Sequence, residues 1–297
     1  MKELICGKLS RILIWLVIKL ISFFPLVLIR EKIFIFFFPS FIIKRTKGGK
    51  QLFSNIKAVF PWAKDEKKLL LFAKKNFYHQ TIIFIETLKI IANPSIKVKI
   101  EGFDELSKNM KRAEKGSNPP LIFSGHIGNW EYLGHLCAMA CNHKFYALAK
   151  PVSSILGENF LKWLREKLKI NILWTGKNNF QREMIRTMRN KNWVAFLMDQ
   201  KPFDRVGPKV NFFNRQTEFV AGPAKMAIRF KSPVVSAFCI RKAPFHYKII
   251  SSSLNFDYEK EETVEDITQC FAKQIECIIK EHPEQWCWTY KRWKNLT

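Results

Sequence analysis

Short apolar runs that alternate with amphipathic stretches constrain this chain more than any other feature. Runs at residues 97–100, 121–124, 145–149, 170–174, 193–198, 210–213, 234–240 and 247–250 have strand length and strand composition. Helical periodicity fills several of the gaps, at residues 130–140, 154–168, 180–189 and 221–230, and again at 65–89 and 264–281. Strands alternating with helices predict an α/β fold: a mainly parallel central sheet flanked by helices, with functional groups at the C-terminal ends of its strands.

The first 45 residues read differently. Residues 12–29, "ILIWLVIKLISFFPLVLI", are apolar except for Lys19, Ser22 and Pro25, and a second apolar run follows at 33–43. A bilayer core takes about 20 helical residues, so the first run is just long enough to serve as a membrane anchor, spanning or lying in the interface. Lys44, Arg45, Lys47 and Lys50 follow it, and this positive bias places the remainder on the cytoplasmic side of an inner membrane. The expected organisation is an anchor over 1–45 and a catalytic-sized domain over 46–297.

Fifty Lys and Arg against twenty-five Asp and Glu give a net charge of +25. That charge favours anionic partners: lipid headgroups, phosphorylated substrates, acidic carriers or nucleic acid. Lys, Phe, Ile and Asn are abundant together, a compositional bias that accounts for part of the excess. The seven cysteines are scattered and form no Cys-x-x-Cys pair, which argues against a disulfide framework or a zinc ribbon and for a reducing compartment. Cys137, Cys141 and His143 read as a small-residue helix face and its end, so no metal is expected. No Walker loop or dinucleotide fingerprint is present, so no cofactor is expected either.

Chemistry concentrates in residues 125–131, "GHIGNWE". His126 follows the strand "LIFS"; Gly125 and Gly128 permit a tight turn, and Asn129 is placed to cap the helix starting at Trp130. An imidazole that titrates near neutral pH suits a general base, and Glu131 lies close enough in sequence to orient it. Ser124 is outside any Gly-x-Ser-x-Gly elbow, which favours direct attack by a substrate hydroxyl over a covalent enzyme intermediate.

"GHIGNWE" resembles the H-x-x-x-x-[D/E] motif of the late acyltransferases of lipid A biosynthesis, the lauroyl and myristoyl transferase family. Other blocks resemble that family in the same order: "SNIKAVFP" at 54–61, "AKP" with "FLKWLREKLKINIL" around Arg165, "VAFLMDQKPFDRVGPKVNFF" with its Asp199-Gln200 pair, and "HPEQWCWTYKRWK" near the C terminus. The chain departs from the family at "QTEFVAGPAK", with Glu218 and Pro223, in a block where many relatives carry small hydroxyl residues before a glycine. The resemblance implies a glycerolphosphate-acyltransferase-like fold and a membrane enzyme. Such an enzyme moves a fatty acyl group from acyl carrier protein to a hydroxyl of a lipid A precursor, without metal or cofactor. It further implies His126 as general base, Glu131 as its orienting acid, and Asn129, Arg165, Asp199 and Gln200 as substrate-binding residues. Two rivals fit less well. A glycerolipid acyltransferase carries a Glu-Gly-Thr-Arg block that this chain lacks, and no recognisable nucleic-acid module accompanies the basic charge.

Overall fold

The computed structural model describes residues 16, 30–152, 154–176, 178–202, 206–259 and 263–293. Helices α1 (Glu31–Phe37), α2 (Ser40–Arg45), α3 (Lys47–Val59) and α4 (Glu66–Ala92) come first, then β1 (Lys99–Glu101), α5 (Phe103–Glu114) and β2 (Leu121–Ser124). The alternation continues through α6 (Trp130–Ala140), β3 (Phe145–Ala149), α7 (Ile155–Lys167), β4 (Asn171–Trp174), α8 (Phe180–Arg189) and β5 (Trp193–Leu197). A hairpin of β6 (Lys209–Phe212) and β7 (Arg215–Glu218) leads to α9 (Gly222–Phe230), β8 (Val234–Ala243), β9 (His246–Leu254) and α10 (Val264–Glu281).

The central sheet has 7 strands in the order β1-β9-β8-β2-β5-β3-β4. Every neighbouring pair is parallel except the long β8–β9 pair. Because successive side chains point to opposite faces, β2 sends Phe123 into one core and Ile122 into the other. Helices cover both faces, which is why the central strands β2, β3 and β5 are apolar almost throughout. Helix ends follow their local chemistry. Asp65 caps α4 by accepting from the Lys67 and Lys68 amides, and Thr263 with Asp266 closes a capping box on α10.

One expectation changes, and another falls mostly outside the described residues. Residues 210–213 do not join the central sheet but form the separate antiparallel hairpin β6–β7. Its two-residue turn, Phe213-Asn214, has φ of 55° and 56°, the left-handed values that a tight hairpin needs and that phenylalanine rarely adopts. Aromatic packing against Phe60, Trp288 and Trp293, and a 2.6 Å bond from the Phe213 amide to Glu276, hold it there.

The second expectation concerns the N terminus. Among the described residues no helix is long and apolar enough to cross a membrane. The anchor expected at 12–29 lies, except for Leu16, outside the described residues. Residues 33–43 make two short helices, because Pro39 cannot donate a helical hydrogen bond and pushes Phe38 into an extended conformation. The chain joins the main core at Ile43, which is fully buried.

Candidate active site

Strand register brings the key groups together. β2 and β5 are parallel neighbours with Ser124 opposite Leu197, and the Met198 amide extends the ladder by donating to the Ser124 carbonyl. Two residues beyond that pair, at the C-terminal edge of the sheet, stand His126 and Asp199. His126 Nδ1 lies 2.7 Å from Asp199 Oδ1, and the His126 amide donates to Asp199 Oδ2 at 2.9 Å. An ionised carboxylate only accepts, so Nδ1 carries the hydrogen and Nε2 presents its lone pair. Beside Nε2, at 3.4 Å, is the Gln200 side-chain nitrogen. The imidazole keeps 20% of its side-chain surface exposed while Asp199 keeps 2%, so the base faces outward and its partner is sealed.

Glu131 takes a different place from the one its spacing suggested. Asn129 starts α6 at Trp130, and the first helical turn points Glu131 at α7, where Arg165 grips it at 2.8 and 3.2 Å. The acid bonded to His126 is therefore Asp199, and Glu131 acts on the ring only across a longer electrostatic distance. Arg165 likewise spends its fork on Glu131. Asn129 is buried, with its side chain engaged by Thr87, Tyr247 and the Tyr132 amide. It shapes the loop from inside.

Over residues 6–295 the sequence matches the family described as bacterial lipid A biosynthesis acyltransferase. The chain belongs to that family. That membership places it among acyltransferases, and its His126 loop lies within the matched span. Among curated proteins it is similar to the phosphatidylinositol mannoside acyltransferases of Mycobacterium tuberculosis strains ATCC 25618 / H37Rv and CDC 1551 / Oshkosh. Each is 26% identical over 173 residues, covering 57% of this chain and 52% of the relative. The chain thus spans about half the length of the curated relatives it matches.

The acyltransferase holds this loop from several directions. The C-terminal segment runs antiparallel beside it: Ile127 bridges Trp286, the Gly128 amide donates to the Gln285 carbonyl, and the Cys287 amide donates to the His126 carbonyl. The Trp286 indole donates to Asp199 Oδ2 at 2.6 Å, so the "PEQW" block clamps the loop and the acid together. Gly128 sits at φ 59°, and a Cβ there would fall 2.1 Å from the Cys239 carbonyl oxygen, so only glycine fits. Below lies a buried network in which Arg241 pairs with Glu86 at 2.7 Å, Tyr247 donates to Glu86 at 2.6 Å, and Gln285 brackets the Arg241 backbone.

Burial alone would lower the His126 pKa. The charge and hydrogen bond of Asp199, with help from Glu131, outweigh burial and the opposing charge of Arg165, and hold it above the ordinary value. Burial would raise Asp199, but the His126 charge and the bonds from His126 and Trp286 hold it below the usual carboxylate range. The Trp130 ring stands edge-on to the imidazole at 5.2 Å. Trp130, Glu131 and Arg165 also line a narrow apolar crevice of about 50 Å³ that continues between Leu133, Phe145 and Phe196.

Sequence reasoning placed Asp199 and Gln200 near the site without seeing which of them meets the histidine. It missed Trp286 as the clamp, although the tail's "HPEQWCW" block was the available signal.

Proposed function

We propose that this acyltransferase transfers a fatty acyl chain from acyl carrier protein thioester to a hydroxyl of a lipid A precursor, at the cytoplasmic face of the inner membrane. His126 Nε2 takes the proton of the acceptor hydroxyl as its oxygen attacks the thioester carbonyl; collapse of the tetrahedral intermediate expels the carrier thiolate, which recovers the proton from the imidazolium. An ester C–O bond forms and a thioester C–S bond breaks, with no redox change. Asp199 fixes the tautomer and supports the imidazolium, a general-base contribution of about 10²- to 10⁴-fold in rate. Gln200 lies beside the reacting nitrogen, Arg165 with Glu131 shapes the crevice wall, and Asn129 positions the loop. The crevice must widen to admit an alkyl chain.

The observation that carries this reading is the His126–Asp199 pair, with Nε2 turned outward, inside a family match that spans the chain. A bilayer location is supported by Phe36, Phe37 and Phe41, exposed at 78%, 73% and 59%, beside Arg30, Lys32, Lys44 and Arg45. The mycobacterial relatives favour a second acceptor class, a mannosylated glycolipid.

Mass spectrometry of the purified enzyme with acyl carrier protein thioester and, in parallel reactions, a tetra-acylated lipid A precursor or a mannosylated glycolipid tests both. The proposal predicts one added acyl mass with wild type and none with His126→Ala. Full activity of His126→Ala would overturn the mechanism, and transfer to a mannosylated lipid alone would overturn the acceptor.

A further inference from the structure

The β6–β7 hairpin borders a cavity of about 280 Å³, lined by Lys201, Lys209, Arg215, Thr217, Glu218 and Trp293 among others. Three cations face one carboxylate there. Trp293 is buried, and its indole Nε1 has no hydrogen-bond partner. The preceding residue, Arg292, is fully buried; its Nη1 donates to the Glu218 carbonyl at 2.9 Å and its guanidinium lies over the Phe219 ring at 4.0 Å, while Nε and Nη2 have no hydrogen-bond partner. Burial pulls this guanidinium's pKa down to about 10, against the supporting charges of Asp199, Tyr290 and Glu218.

All of the unsatisfied atoms on residues 292 and 293 are donors. A buried donor without an acceptor is costly, and the Trp293 donor beside a cationic rim is chemically matched by an acceptor-only group. The cavity is also coupled to the site. Lys201 adjoins Gln200, whose amide stands beside His126 Nε2, and the Trp286 ring that clamps Asp199 lies 6.0 Å from Phe212 of the hairpin and 6.3 Å from Trp293.

We infer that this cavity is a phosphate subsite, with Lys209, Arg215 and Lys201 as its cations, which seats a phosphate of the substrate while the reacting group lies at His126. The inference rests on the proposed transfer for its source of phosphate. Two substrates supply one: the sugar phosphate of the acceptor, and the phosphodiester that tethers the thiol arm of the donor carrier. Glu218 opposes the anion and sets an upper limit on its affinity.

Titrating inorganic phosphate into the full-length protein at low salt, by calorimetry, tests the subsite independently of turnover. Wild type should bind saturably, Lys209→Gln/Arg215→Gln at least about tenfold more weakly, the loss of roughly one charge-assisted bond or more, and Glu218→Gln more tightly. Thermal melting confirms that each variant is folded. Trp293→Phe, which keeps the ring and removes the N–H, should also weaken binding.

The kinetic arms identify the source. Removing the phosphate from the acceptor, or replacing the carrier donor with an acyl-pantetheine that lacks phosphate, should raise KM for wild type about tenfold in one arm. The double variant should be insensitive to the same change, with kcat nearly constant. Absence of saturable phosphate binding by wild type, or equal binding by the double variant, would overturn the subsite. If wild type binds phosphate but transfers no acyl group to any acceptor, the transfer reading falls and the subsite stands.

Discussion

The two ends of the chain are both rich in aromatic residues and treat them oppositely. Near the C terminus Trp286, Trp288 and Trp293 are buried, whereas Phe36, Phe37 and Phe41 near the N terminus are exposed. For Trp286 and Trp288 the difference lies in polar handles, and for all three tryptophans in their neighbours. The Trp286 indole finds Asp199 and the Trp288 indole finds the Pro283 carbonyl, each at 2.6 Å, while Asn55 and Asn76 hold the tail's carbonyls. The phenylalanines of α1 and α2 have no such bonds to make and stand beside arginine and lysine. One aromatic cluster is a structural clamp on the site; the other is the exposed surface on which the proposed membrane contact rests.

Breaking the clamp should have the largest effect. Trp286→Ala deletes a buried ring and the donor on Asp199, and should cost about 3–5 kcal/mol in denaturant unfolding, with activity reduced at least about a hundredfold. Trp286→Phe separates packing from the hydrogen bond. It should stay folded, lose about 1–3 kcal/mol, and lower kcat by more than KM changes, since the substrate does not touch the indole. The opposite end should respond in reverse. Phe36→Ser/Phe37→Ser/Phe41→Ser should move unfolding stability by less than about 0.5 kcal/mol per site yet sharply reduce sedimentation with anionic vesicles, because each ring contributes roughly 1.5–3 kcal/mol when buried in lipid. A triple variant that unfolds, or that sediments as well as wild type, would erase the contrast.

Much of the scaffold was legible because its signals are local. β2, β3, α6, α8 and α10 fall where apolar period and flanking residues put them, and Asn129 caps α6 as its position implied. Helix α5 escaped notice because its inward stripe is only Leu106, Met110 and Ala113 in an otherwise polar stretch. The hairpin β6–β7 escaped because a Phe-Asn turn imitates none of the glycine-bearing turns that mark tight hairpins. The His126–Asp199 pair is a matter of register between strands 73 positions apart in sequence. Spacing along one loop pointed to Glu131, but helix capping turned that carboxylate to Arg165. A neighbour in space displaced the neighbour in sequence.

The central claim is that Asp199 holds His126 as a neutral base whose pKa lies above its ordinary value of about 6.5. Its most direct test is kcat/KM against pH for wild type and Asp199→Asn. A base works only when deprotonated, so wild-type activity should fall as pH drops through a single ionisation above that value. Removing the carboxylate takes away the charge that favours the imidazolium, so the acid limb of Asp199→Asn should move to lower pH while the plateau falls by about 10²- to 10⁴-fold. An acid limb that stays in place in Asp199→Asn would contradict the account.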